Sequence, residues 1–297
     1  MLGAKTTADD AIAYVARSRG TAFLRRLKQK PLGLAGLTII LITIVVAFFA
    51  PVIAPYDSKN YFTTRFLPPS SQYLMGTDQI GRDIFSRIVY GARVSLYVGF
   101  LSVSLGITVG LIWGMAAAYL GGGLDLFSLR IVDIITGFPT LVLALVLLAS
   151  LGPSINNVVI AVIIVLIPGA TRTLRSAALS VRVAPFIEAA SAIGCSQGRI
   201  LFRHILPNIL APYIVLLTIN LGHVIVLEAS LSFLGVGVPA EEASWGGMLT
   251  YAAQQFVAGT APWLAIFPGL ALTIVVFGFN LAGDAARDLF DPRMRRG

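Results

Sequence analysis

Residues 183–212, VAPFIEAASAIGCSQGRILFRHILPNILAP, form the longest strongly polar break in the second half of an otherwise apolar chain. The order of residues inside it predicts two short helices joined by a tight bend. Glu188-Ala189-Ala190 opens the first, and small residues through Ala192 leave a low-relief face. Gly194 supplies a backbone angle that other residues resist. Pro207, after Leu206, ends one helix or opens the next, where the apolar sequence resumes.

Composition decides the solvent around that break. The 297 residues are 57% hydrophobic and 12% charged, with a mean hydropathy of +0.85. Soluble domains carry about 45–50% apolar and about 25% charged residues. The surface itself must therefore be apolar, and the chain is expected to be an all-α polytopic membrane protein. One cysteine, Cys195, excludes an internal disulfide and has no metal-binding partner set beside it.

Six spans are expected, at 32–54, 94–119, 134–151, 155–170, 207–227 and 263–281. Gly99, Gly106, Gly110 and Gly114 line one face of the second, where small residues let helices approach in lipid. An extramembrane loop at 55–92 contains a short helix at 84–90, and Gly121-Gly122-Gly123 turns the chain into a polar helix at 125–133. A second polar loop covers 171–206 and a third 228–262. The first 30 residues lack an apolar run, so no cleavable signal is expected. Residues 11–27 read either as an interfacial helix or as a basic tail.

Charge orients the spans. Seventeen Lys/Arg fall before the first span, in the 171–206 loop, at Arg130 and in the tail, against five on the other side. This positive-inside bias places both termini and the 171–206 loop in the cytoplasm. It also accounts for the net charge of +8 without nucleic acid. The domain reading is a cytoplasmic segment at 1–31, a membrane domain at 32–283 and a cytoplasmic tail at 284–297.

No catalytic set stands out. His204 and His223 are the only histidines, and HExxH, CxxC and a GxxxxGK[ST] loop are absent, so ATP is expected to be bound elsewhere. Glu188 either caps its helix or contacts a partner. Arg199 and Arg203, four apart, face acidic side chains of a partner or lipid phosphate. His223 reads first as a hydrogen-bond partner between helices, with Asn220 on a similar face, and otherwise as a functional polar residue in the span. Glu228, at the outer end of the fifth span, either faces a water-filled cavity or stabilises the bundle. Asp284 is expected to pair with Arg287, one turn beyond Asn280. Trp245 and Trp263 are expected as interfacial anchors.

The 188–207 segment resembles the EAA loop of ABC importer permeases: EAA, three residues, a glycine, then a fixed gap before LP. His204 stands where the general pattern has an aliphatic residue. MGTDQIGRDIFSR at 75–87, YLGG at 119–122, RIVD at 130–133, LSFLGVG at 231–237, SWG at 244–246, FPGL at 267–270 and FNLAGD at 279–284 extend the likeness. Together they resemble the C-type permeases of dipeptide, oligopeptide and nickel ABC importers over 32–292. PAEEA at 239–243 departs from the proline-richer turn of that family and leaves substrate preference open.

The resemblance implies the type I importer permease fold in a bacterial inner membrane. It implies a heterodimer with a homologous B-type permease, two ATPase subunits that bind ATP and Mg, and an extracytoplasmic binding protein that delivers peptide. No cofactor is implied in this chain, and the subunit itself would be non-catalytic. Glu188, Ala189, Ala190, Gly194, Arg199, Arg203, Leu206 and Pro207 are the implied coupling residues. Gly76, Thr77, Asp78, Gly81, Arg82, Asp83, Asn280 and Asp284 are family-like structural residues. A metal–chelate importer shares the architecture and stays open, as do an ion-driven transporter and a membrane scaffold.

Overall fold

The computed structural model describes residues 30–60, 64–257 and 259–290. The expected interfacial segment at 11–27 and the end of the basic tail lie outside them. The described chain is helical: α1 Pro31–Phe48, α2 Ala50–Ile53, α3 Ile84–Leu120, α4 Gly122–Thr136, α5 Thr140–Leu151 and α6 Ile155–Arg182. There follow α7 Pro185–Ala192, a short α8 Gln197–Arg199, a π-helical turn Ile200–Ile205, α9 Leu206–Phe233, α10 Trp245–Val257 and α11 Trp263–Phe290.

Five helices are long and apolar enough to cross a bilayer, α8 through α9 counting as one continuous rod. The span expected at 134–151 is not a rod. α4 and α5 meet at an 87° bend over Gly137-Phe138-Pro139. Pro139 has no N–H to continue the ladder, and α5 alone, at about 18 Å, is too short for a core of about 30 Å.

Side-chain contacts show that the bent pair is nevertheless a return leg. Tyr97 near the start of α3 bonds Asn156 near the start of α6, and Arg182 at the end of α6 bonds the Ala118 carbonyl near the end of α3. The two helices run parallel, so the chain between them must travel back along their length. That makes six legs. Lys30 and Asp288 pair at 2.7 Å, which brings the two ends of the described chain together.

The glycine stripe explains the central contact. At Gly106, Gly110 and Gly114 an added Cβ would press on Leu166, Ala170 and the Thr171 backbone of α6, while Gly99 faces Ile225 of α9. In lipid, where apolar surface has no drive to leave its solvent, such backbone proximity is the main source of helix association. α1 docks on α11 in the same way, with Gly36 against Gly278 and Ala282. The outward face of α1, with Leu41 and Phe48 exposed, meets lipid.

Several expected boundaries move. The helix drawn at 84–90 is the first part of α3, because Gly91 is packed under the Trp245 ring and does not break the rod. α6 continues to Arg182, twelve residues past the expected end of its span, and α11 continues through 284–290, expected as tail. α9 likewise runs past 227 to Phe233. Pro207 stands in the first turn of α9, the helix-opening place expected of it, though no break precedes it. In the π turn the Leu206 N–H already reaches back to Leu201, so the chain passes Pro207 unbroken. The 228–262 loop contains α10, held by Gly246 against the Ala229 backbone of α9.

A side chain at Gly246 has no room. Gly246→Val is expected to destabilise the protein by about 1–3 kcal/mol, the usual cost of overpacking. Thermal unfolding in detergent would register it, and an unchanged midpoint would show that α10 can shift without cost.

Candidate functional site

At one end of the bundle, α7 and the start of the α8–α9 rod form a helical hairpin. Gly194, at φ +79°, closes α7: its N–H donates to Ser191 O at 3.0 Å and that of Cys195 to Ala190 O at 3.1 Å. This paired pattern satisfies the last carbonyls of the helix and needs a left-handed residue at its centre. Ser196 caps α8 by accepting from the Arg199 N–H at 3.4 Å.

Ile187, Ala190, Ile200 and Ile205 turn inward and hold the hairpin to the bundle. The opposite face is open. Glu188, Ala189, Arg199, Arg203 and Pro207 are exposed there, and Leu206 is half-buried. Glu188 makes no cap hydrogen bond to its own helix but stands in the first turn of α7, where the helix dipole favours its carboxylate. Around these residues stand four uncovered apolar side chains: Val183 (83% exposed), Phe186, Ile193 (81% exposed) and Phe202. Contiguous apolar surface rimmed by charge marks an interaction site.

Between the legs lies a cavity of about 780 Å³, walled by α3, α5, α6, α9 and α11. Its polar groups are Thr140, Thr173, Asn220, His223, Ser230 and Asn280, with no carboxylate, ammonium or guanidinium among its described lining residues. Asn220 donates to the Leu216 carbonyl at 2.8 Å within its own helix, and not through that group to a neighbouring helix. His223 is exposed. The Asn280 side-chain oxygen occupies the space that a Cβ on Gly222 would take. Thr140 and Thr173 carried no signal in the sequence, since only the fold brings α5 and α6 to the same wall.

Glu228 is fully buried and does not face water. It accepts hydrogen bonds from Ser95 of α3 at 3.1 Å and from Ser232 at 2.9 Å, and Ser232 Oγ in turn accepts the Val238 N–H at 3.1 Å. Here two hydroxyl donors and the following turn provide the carboxyl's partners, and the group ties α3 to α9.

The 76–83 motif builds the opposite end. Asp78 accepts from the Ile80 and Arg82 N–H groups at 3.0 and 2.9 Å and from Arg82 Nε at 2.7 Å. Arg87 approaches the same carboxylate at 3.9 Å and donates to the carbonyls of Ser58 and Glu242. Arg82 reaches the Ala240 carbonyl at 3.1 Å. Asp83 caps α3 through the Ser86 N–H at 2.7 Å, Thr77 bridges to it, and Gly76 and Gly81 are buried in the turn. Lys59 closes the rim on Glu242 at 2.6 Å, and that hydrogen bond raises its pKa.

Trp245 is a buried member of this assembly and not an interfacial anchor: it is 2% exposed and donates from Nε1 to Ile88 O at 3.0 Å. Trp263 is half-buried with its Nε1 enclosed. Asp284 and Arg287, both exposed, do not form the expected pair; Asp288 pairs instead, with Lys30. Among the described residues no group of three or more His, Cys, Asp or Glu could hold a metal.

Comparison with known proteins assigns the architecture. Residues 106–296 match the family described as binding-protein-dependent transport system inner membrane component, and residues 18–69 the N-terminal TM domain of oligopeptide transport permease C. The dipeptide transport system permease protein DppC of Alkalihalophilus pseudofirmus is 44% identical over 286 residues, 95% of this chain and 92% of that protein. The glutathione transport system permease protein GsiD of Escherichia coli O1:K1 is 42% identical over 275 residues, 92% and 90% of the two chains. In a solved structure of the MetNI methionine ABC transporter, inward facing, one chain aligns at TM-score 0.56 and 20% identity. It covers 68% of this chain and 96% of that one, a likeness of fold. Membership implies a second permease and ABC ATPase subunits as partners. The chain belongs to the inner-membrane components of binding-protein-dependent transport systems and is a multi-pass, non-catalytic permease subunit of a peptide-type ABC importer, homologous to DppC and GsiD.

Proposed function

We propose that this subunit passes short peptides of di- to tripeptide size through the cavity between α5, α6, α9 and α11, with a homologous permease completing the pathway. An extracytoplasmic binding protein delivers the peptide at the end built by 76–87 and 237–245. Two ATPase subunits sit at the other end, in the cytoplasm, where the ends of the described chain also lie, and one of them receives the 183–207 hairpin. Glu188, Arg199 and Arg203 would set its register on that subunit, and the apolar rim would supply affinity. ATP-driven approach of the two ATPases would then rock the legs and open the cavity outward.

The single observation that carries this reading is the uncovered apolar rim on a hairpin otherwise anchored in the bundle. An apolar surface at a water-facing end of a membrane protein needs a protein cover. The homology to dipeptide and glutathione permeases supports the cargo class, as does a wall of amides and hydroxyls matched to peptide groups. Nothing specific favours a metal chelate.

The test is reconstitution with the second permease and the ATPases. Val183→Asp with Ile193→Asp leaves the inward-facing anchors intact and places two charges in the rim. ATPase co-purification and peptide uptake are expected to fall at least tenfold, with the permease pair still assembled. Retention of both activities would move the ATPase contact elsewhere.

A further inference from the structure

One guanidinium grips the bend between α4 and α5. Arg172 Nη2 donates to Asp133 Oδ1 at 2.7 Å and to Thr136 Oγ1 at 3.2 Å. Thr136 is the last residue of α4, and the 87° bend follows it. One turn along α6, Arg175 binds Asp125 through Nε and Nη2 at 2.6 and 2.5 Å, with side chains only 20% and 16% exposed. Arg182 ends the series on the Ala118 carbonyl of α3. Val183 and Ala184 alone separate Arg182 from α7. Beyond the bend, Thr140 and Leu141, the first residues of α5, line the cavity.

We propose that Arg172 is a positioning residue that links the coupling hairpin to the cavity wall, by clamping the α4–α5 bend to the hairpin end of α6 through Asp133 and Thr136. The proposal rests on the hairpin being the ATPase contact. A two-residue joint transmits a displacement of α7 to α6 with little slack. The bend is the compliant point in the path, because Pro139 breaks the backbone ladder there. Its angle is therefore set by what holds its two sides. The forked, largely buried Arg175–Asp125 pair acts as the fixed point. Arg172 and Asp133 are 54% and 55% exposed, so water takes over when their contact opens, and the pair can break and re-form at small cost. A tight fulcrum beside a labile clamp lets α5 take two positions against the cavity as α6 moves. RIVD at 130–133 thereby acquires a role that the coupling loop and the cavity leave unassigned.

The experiment compares peptide uptake per ATP hydrolysed in the reconstituted complex for wild type, Arg172→Gln and Asp133→Asn. Both variants are expected to co-purify with the ATPases and to keep basal hydrolysis within twofold, while uptake per ATP falls at least fivefold. Arg172→Lys, which keeps the charge and a donor but loses the planar guanidinium, is expected to recover part of the ratio. A purely structural role would lower yield, hydrolysis and uptake together, and an unchanged ratio in both variants overturns the proposal. A wild-type complex whose hydrolysis ignores delivered peptide overturns the coupling reading itself.

Discussion

Replacing Asp78 with alanine is expected to destabilise the protein by about 3–5 kcal/mol, the largest single-residue effect foreseen here. Its carboxylate faces Arg82 at 2.7 Å and Arg87 at 3.9 Å, and the arginine side chains are 6% and 4% exposed. Without it the buried Arg82 loses its ion pair and keeps the Ala240 carbonyl, and Arg87, which also donates to the Ser58 and Glu242 carbonyls, loses a nearby anion. The Ile80 and Arg82 N–H groups lose their acceptor as well. A drop of roughly 10 °C in the unfolding midpoint in detergent corresponds to that range, at about 2–4 °C per kcal/mol for a chain of 150–250 residues. Arg82→Ala should cost less, since Arg87 remains near the carboxylate. A midpoint for Asp78→Ala close to wild type would show that water reaches the cluster.

Gly194→Val is expected to cut transport by roughly five- to thirtyfold while leaving the bundle folded. No heavy atom outside its immediate chain neighbours lies within 4 Å of a Cβ built there, so the effect is not a clash. It is backbone strain: φ +79° costs a β-branched residue on the order of 1–2 kcal/mol. That amount changes the ratio of the native bend to any alternative by about the same five- to thirtyfold. The bend fixes the angle between α7 and the α8–α9 rod, and so the shape offered to the ATPase. Gly194→Asn, which tolerates the left-handed region, should transport nearly as well as wild type. Equal losses in the two variants would mean that the position matters for contact and not for conformation. Uptake and thermal unfolding of the same preparations separate the cases.

The features of this chain come from different physical sources and were unequally visible in the amino-acid order. The hairpin was legible because its determinants are local. A glycine where φ must be positive and a break in hydropathy both act within a few residues. The membrane class and most of the legs were legible for a related reason, since composition and span length answer directly to the solvent.

Tertiary structure alone decided the rest. Residues 84–90 and 94–119 form one helix because Trp245, some 150 positions away, packs on Gly91. α8 and α9 form one continuous rod because a π turn joins them ahead of Pro207. Glu228 reads in the sequence either as facing a water-filled cavity or as stabilising the bundle, and burial between Ser95 and Ser232 decides for the second. The cavity wall and the Arg172 clamp join residues from helices whose adjacency follows from the parallel run of α3 and α6. Local steric and solvation preferences are written in neighbouring residues. Which helix faces which is set by the sum of many weak contacts between distant ones, and no short stretch of sequence carries that sum.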